Sequence, residues 1–266
     1  MKTILLKYDD VLLKSIRNRQ IVVVVDSLDS IMSQFVESAR ANNVVSMVAE
    51  LPYVSLSQIE FQKEWADIPL IIKCYNIGDY DIFLAKVNAI KRLNCRIYLS
   101  GLSKTVYTDL KIMASIGVDC GICLNEDVNI DDEKLLDLAS YYYMSPGQHA
   151  TIEPFEYILR HMPEEQNNSF DTIYFDNPLM YVSLNSLEEI DNIDIENDFK
   201  LKVDNYYKHF MDIDECSKCP AFRICNKKMQ TKLNQCSNTM NEIFEYAELC
   251  NEVNNNKCKQ KTICQL

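Results

Sequence analysis

Ile21-Val-Val-Val-Val25 runs straight into Asp26, and Val44-Val-Ser-Met-Val48 is closed within two residues by Glu50. Both are short, β-branched and apolar on consecutive positions. That pattern belongs to a strand buried on both faces, as in a parallel sheet, because a half-solvated strand would alternate polar and apolar residues. Pro69–Cys74, Arg96–Leu99 and Val118–Leu124 repeat the pattern, and Tyr141–Met144 offers a sixth run.

Helical spacing fills the gaps. Ser30 is placed to cap a helix through Asn42, with Ile31, Phe35 and Val36 on one face. Asp79–Leu93 sets Phe83, Val87 and Ile90 on one stripe; Ser103–Ile116 and Asp131–Ala139 continue the series, and Gly117 stands where a helix C-cap falls. Successive strand starts lie roughly 24 residues apart, the size of a βα unit with a right-handed crossover. The expected fold class is α/β: a partial (β/α)6 barrel-like parallel sheet over residues 1–150, with a flat doubly wound sheet as the alternative. Residues 151–212 read as a connector. It holds a helix at Pro154–Met162, a β-hairpin of Thr172–Phe175 and Met180–Leu184 around Asp176-Asn177-Pro178, an acidic stretch at Ser186–Asp198 and a helix at Lys202–Met211. Residues 213–266 form a small Cys-rich region.

The 266 residues carry a net charge of −12. Nucleic-acid binders need clustered Lys and Arg for phosphate contacts, so this balance argues against one. It suits a basic protein or peptide partner, or serves solubility alone. Lys7, Asp9 and Asp10 interrupt the N-terminal apolar run, and no apolar stretch approaches a membrane span, so no membrane partner and a cytoplasmic location are expected.

Of 11 cysteines, seven follow residue 215. In a reducing compartment such crowding favours metal over disulfides. Cys216-Ser-Lys-Cys219-Pro220-Ala-Phe-Arg-Ile-Cys225 gives C-x2-C-x5-C. A turn that holds two thiols two residues apart is a usual start for a zinc or iron–sulfur site. Lys218, Arg223, Lys227 and Lys228 are near in sequence to offset thiolate charge. A fourth thiol must come from Cys236 or from Cys250, which ends an apparent helix at Thr239–Leu249. Free thiols without metal are the plain alternative, and zinc competes with iron.

This region resembles the SPASM domain appended to radical SAM peptide-modifying enzymes, whose signature is C-x2-C-x5-C-x3-C, a gap and a final Cys. Cys216, Cys219 and Cys225 match the first three positions, Met229 replaces the fourth, and Cys250 fits the final one. The resemblance implies one auxiliary [4Fe-4S] cluster on Cys216, Cys219, Cys225 and Cys250. It implies loss of the other auxiliary cluster. The loop after Ile21–Val25 lacks the family's C-x3-C-x2-C, and Val48-Ala49-Glu50-Leu51-Pro52 stands in place of Gly-Gly-Glu-Pro. S-adenosylmethionine chemistry is therefore not expected. The implied function is an iron–sulfur-binding accessory protein that works with a precursor peptide, with a partner radical SAM maturase, or with both.

Other readings stay open. Asp26, Glu50, Ser100 and Asn125 stand near predicted strand ends, where barrel enzymes carry their sites. An Asp26–Glu50 pair would suit a hydrolase or transferase with a structural metal. A zinc-bearing interaction module is the third. Cys120 and Cys123 lie three apart in a strand, on opposite faces, and read as core thiols. Tyr141-Tyr-Tyr143 reads as a half-buried strand or the lining of a peptide groove. The three histidines are scattered, and no G-x-S-x-G or Gly-rich phosphate loop occurs.

Overall fold

The computed structural model describes residues 3–16, 19–28, 36, 39, 41–124, 130–162, 171–174, 181–184, 216, 218–225 and 236–263. Its strands are β1 (Thr3–Lys7), β2 (Ile21–Val25), β3 (Val44–Leu51), β4 (Leu70–Cys74), β5 (Cys95–Ser100), β6 (Cys120–Cys123), β7 (Ile152–Glu153) and β8 (Tyr181–Leu184). The helices are α1 (Asp10–Ser15), α2 (Tyr80–Ile90), α3 (Val106–Ser115), α4 (Asp132–Met144), α5 (Phe155–His161), α6 (Asp171–Tyr174), α7 (Phe222–Cys225) and α8 (Cys236–Ile263). Short 3-10 turns at Leu56–Gln58 and Lys63–Asp67 lie between β3 and β4.

All eight strands pair in parallel, in one open sheet ordered β7-β6-β5-β4-β3-β2-β1-β8. From β1 to β7 the order never reverses. The sheet is open, and the order turns back once, where β8 pairs beside β1. Right-handed crossovers between successive neighbours then put the connecting helices on one face. That face is apolar from edge to edge: Leu6, Val23, Met47, Ile72, Ile97 and Ile122 are fully buried. Helix α3 lies on it, since the Cys120 thiol donates to the Leu110 carbonyl at 3.6 Å.

The sequence expectation needs three corrections. Tyr141–Met144 is the last turn of α4. Leu135, Leu138, Ala139 and Tyr142 are buried at helical spacing, and the same stripe carries through the tyrosines, overriding their strand preference. Among the described residues the hairpin is absent: residues 171–174 are helical, and β8 pairs in parallel with β1 (Leu6 opposite Leu184). The sheet holds eight strands rather than six, since β1, β7 and β8 join it. Asp176-Asn177-Pro178, Ser186–Asp198, Lys202–Met211 and most of the Ser30–Asn42 helix lie outside the described residues, although Val36 is buried as expected.

Two glycines have specific duties. Gly117 (φ 80°) ends α3 in a Schellman motif. Its N–H donates to Ala114 C=O (3.0 Å), and Val118 N–H donates to Met113 C=O (2.9 Å). Gly121 of β6 sits between Tyr98 of β5 and Glu153 of β7 in one cross-strand row. A Cβ there would lie 2.7 Å from the Tyr98 ring and 2.9 Å from Glu153 Cβ. The Gly121→Ala variant is expected to lose about 2 kcal/mol in a denaturant titration, the scale of overpacking a filled site; an unchanged midpoint would show that the row tolerates a methyl group.

Candidate functional site

Alternation along the strands gives the second face of the sheet a different character. Lys7, Glu50, Lys73, Arg96, Tyr98, Ser100 and Glu153 all belong to it, as the strand pairings require. Asp26 follows directly after β2. Lys7 pairs with it at 3.4 Å, and Lys73 Nζ donates to Glu50 Oε1 at 3.0 Å. Asp26 and Glu50 stand one step past the last paired residues, Val25 and Ala49, so extending the register sets them side by side on neighbouring strands. The sequence-predicted carboxylate pair is thus flanked by two lysines at the carboxyl edge. Ser100 ends β5 at the same edge, its hydroxyl accepting from Leu102 N–H at 3.3 Å. Asn125 lies outside the described residues.

Toward β7 the same face is closed. Tyr174 of α6 packs edge-on against Tyr98 (centroids 5.4 Å) and donates to the Ile122 carbonyl at 2.9 Å. Beneath it Glu153, 3 % exposed, accepts from Arg96 Nη1 (2.9 Å) and Tyr157 N–H (3.0 Å). Burial raises the Glu153 pKa above the ordinary 4.5, and Arg96 and the Tyr157 N–H oppose that rise. The sequence signals that mark this pair are slight: Arg96 is a cation inside an apolar run, and Glu153 precedes Pro154.

Nearer the edge, buried Asp109 accepts from Tyr80 (2.7 Å), Thr105 (3.0 Å) and Ile77 N–H (3.2 Å). It ties the β4–α2 loop to the β5–α3 loop. Its hydrogen bond pushes the Tyr80 phenol up to about 12, with burial adding.

The tyrosine run does not line a groove. Tyr143 donates to the Phe155 carbonyl at 2.9 Å, Tyr142 bonds Glu156, and both rings lie between α4 and α5. Cys120 is a core thiol whose pKa burial raises, with Asp119 adding. Cys123, at the other end of β6, is half-buried against the core. Burial, with the Asp119 charge, pushes the Cys95 thiol up to about 12.

The C-terminal cysteines rest on the same core as the sheet. Ala221, Ile224, Cys225, Met240 and Ile243 belong to one continuous cluster with it, and Cys219, Cys236 and Cys250 pack against its margin. Cys219 N–H donates to Cys216 C=O at 3.2 Å, so the expected tight turn is present. Burial raises the Cys219 thiol above its ordinary 9.0, and the neighbouring Cys216 adds to this. The Ala221 N–H and the Ser237 hydroxyl oppose the rise.

Thr239 Oγ1 donates to Asp132 Oδ1 at 3.0 Å, which sets the start of α8 beside the start of α4. Because α4 follows β6, the cysteine turn lies toward the carboxyl edge of the sheet. Cys250, within α8, is half-buried at the core margin, with Asn254 Nδ2 donating to its sulfur at 3.6 Å. Among the described residues, no three His, Cys, Asp or Glu side chains gather as a group that could hold a metal. Cys216, Cys219, Cys225, Cys236 and Cys250 are all among those residues, so as placed they do not form a site that fits a metal.

Comparison with protein-family models, with curated proteins and with solved structures finds no match. Among the described residues no helix is long and apolar enough to cross a membrane.

Glu153 gives this site a pH signature. Its native pKa is raised, so the native state holds more protons than the unfolded chain just above pH 4.5, and stability falls as pH rises through that window. Thermal melts from about pH 4 to about pH 7 should show this decline in wild type. Glu153→Gln should remove that share of it. A wild-type minus variant difference that stays constant or rises with pH contradicts the assignment.

Proposed function

We propose that this chain is a degenerate relative of radical SAM/SPASM proteins: a cytoplasmic accessory protein that holds a metal centre through its C-terminal cysteines and assists modification of a ribosomally made peptide. The observation that carries the reading is the Cys216–Cys219 turn, closed by the Cys219 N–H to Cys216 C=O bond and resting on the core of a parallel sheet. The strand order supports it too. Sequential parallel strands with helices on one side, curved into a partial barrel, would make the polar face the inside wall, with the cysteine turn near its mouth.

The first strand is β1, and Tyr8-Asp9-Asp10 after it contains no cysteine; none occurs before Cys74. The chain thus has no thiolates at the position where the family cleaves S-adenosylmethionine, and its part is to bind and position. A bound [4Fe-4S] centre would supply structural cross-linking and a possible electron relay; zinc would supply the cross-link alone. Cys216 and Cys219 would provide the first two ligands and Cys225 the third. Lys218, exposed on the turn, would offset thiolate charge. The partner is a precursor peptide, a radical SAM maturase, or both, and not a nucleic acid or a membrane.

A second reading has one observation in its favour. The row Lys7–Asp26–Glu50–Lys73 sits at the edge where barrel enzymes react. Under it the metal is structural and the barrel is a hydrolase or transferase; turnover abolished by Glu50→Gln in a folded variant would favour this reading.

The test is anaerobic purification with iron, sulfide and zinc analysis. Wild type is expected to be brown and to hold about four irons and four sulfides per chain, the content of one [4Fe-4S] centre. Cys219→Ala should lose most of both. Stoichiometric zinc without iron would replace the cluster with a zinc site, and a metal-free wild type would defeat the reading.

A further inference from the structure

We infer that the loops leaving β3, β4 and β5 form a docking strip for a partner's peptide segment that mixes cationic and apolar side chains. This names the chemistry of the peptide partner proposed above and rests on that part of the reading; it needs no metal. Tyr53, Tyr80, Ile82 and Leu102 carry the strip, all exposed, Tyr53 at 92 % and Leu102 at 61 %. Single exposed apolar side chains are ordinary. These four follow three neighbouring strands at one edge of the sheet, and such grouping marks a contact surface. Neighbouring strands lie about 4.8 Å apart, so β3 to β5 spans about 10 Å, the length of three extended residues.

Hydrogen bonds between the loops hold the strip in shape. The β3–β4 loop lies along the β4–α2 loop: Tyr75 N–H donates to Val54 C=O (2.8 Å), Leu56 N–H to Asn76 C=O (2.8 Å) and Ser57 N–H to Ile77 C=O (2.9 Å). Ser55 Oγ donates to Asn76 Oδ1 at 2.7 Å, and Asp79 N–H to Ser57 Oγ at 3.2 Å. Lys86 Nζ reaches from α2 to the Ser57 and Ile59 carbonyls (2.8 and 2.9 Å). Asp109 joins the β4–α2 loop to α3 through Tyr80, Thr105 and Ile77 N–H. Gly78 (φ 78°) sits so close that a Cβ there would lie 2.4 Å from Ser57 Oγ. A surface ordered before contact loses little conformational entropy on binding, so its exposed anchors keep more of their gain.

Charge selects the occupant. Asp79 and Asp81 flank Tyr80, are exposed, and have no ion-pair partner among the described residues. Lys86, the cation of α2, is engaged by the two carbonyls and by Glu60 Oε1 at 2.7 Å. Lys104, exposed beyond Leu102, is the opposing charge on the strip. A guanidinium or ammonium fits between a tyrosine ring and a carboxylate, through cation–π attraction and a charge-assisted hydrogen bond. Apolar neighbours in the same segment would cover Ile82 and Leu102. A second copy of this chain is disfavoured, because each carries a net charge of −12 and like charges across an interface oppose docking.

The experiment titrates the full chain into fluorescein-labelled peptides of repeating Arg-Leu-Gly, Arg-Gly-Gly or Glu-Leu-Gly and reads anisotropy, with thermal melts to confirm that each variant folds. Arg-Leu-Gly is expected to bind wild type, and the other two about tenfold more weakly. The double variant Tyr53→Ala/Leu102→Ala and the single variant Asp81→Asn should each weaken Arg-Leu-Gly about tenfold, the scale of losing an interface anchor. Glu248→Gln, which removes an exposed carboxylate from α8, should leave it unchanged. No binding of Arg-Leu-Gly, equal binding of Arg-Gly-Gly, or the same loss in Glu248→Gln as in Asp81→Asn overturns the strip. Tighter binding of Glu-Leu-Gly overturns it while leaving a peptide partner in place. A wild-type dimer in analytical ultracentrifugation that the double variant breaks makes the occupant a second copy and overturns it too. The expected pattern from a metal-free chain supports the strip and defeats the metal reading alone.

Discussion

Eight parallel strands laid side by side almost in chain order are the constraint from which the rest follows. Parallel neighbours can be joined only by crossovers, and right-handed crossovers between successive neighbours put the connecting helices on one side. That side takes the apolar half of each strand. The other side carries the charge, Lys7, Asp26, Glu50, Lys73, Arg96 and Glu153, beside buried Val22, Val48 and Tyr98. Pairing makes these residues tolerable. Exposed members find a partner on the adjacent strand, and the most buried one, Glu153, has both Arg96 and a backbone N–H. A buried carboxylate without such partners would be strongly disfavoured.

The sheet's two ends are finished differently. At the β1 edge, β8 arrives from late in the chain and covers what would otherwise be an exposed strand. Toward β7, a glycine lets a tyrosine and a glutamate from the flanking strands close over it, and Tyr174 seals the row from above. Only a residue without a Cβ fits that junction, so the identity of position 121 follows from its neighbours on β5 and β7 and not from its own strand.

The C-terminal segment extends the helical layer. Helix α8 packs on α4 and α5, and its buried stripe merges with the core under the sheet. Cys219, Cys236 and Cys250 pack against the margin of that core.

Much of the βα series was legible in the sequence, since runs such as Ile21–Val25 and Leu70–Cys74 are too apolar and too short for anything but buried strands. The Gly117 stop and the Cys216–Cys219 turn were legible for a local reason: each is a backbone requirement met within a few residues. The pairing of Asp26 with Lys7, the meeting of Arg96 and Glu153 across Gly121, the parallel seat of β8 and the helical end at Tyr141–Met144 were settled only by tertiary structure. In each, the deciding partner lies on another strand or helix, and the free energy of burying or pairing a side chain there outweighs its local preference.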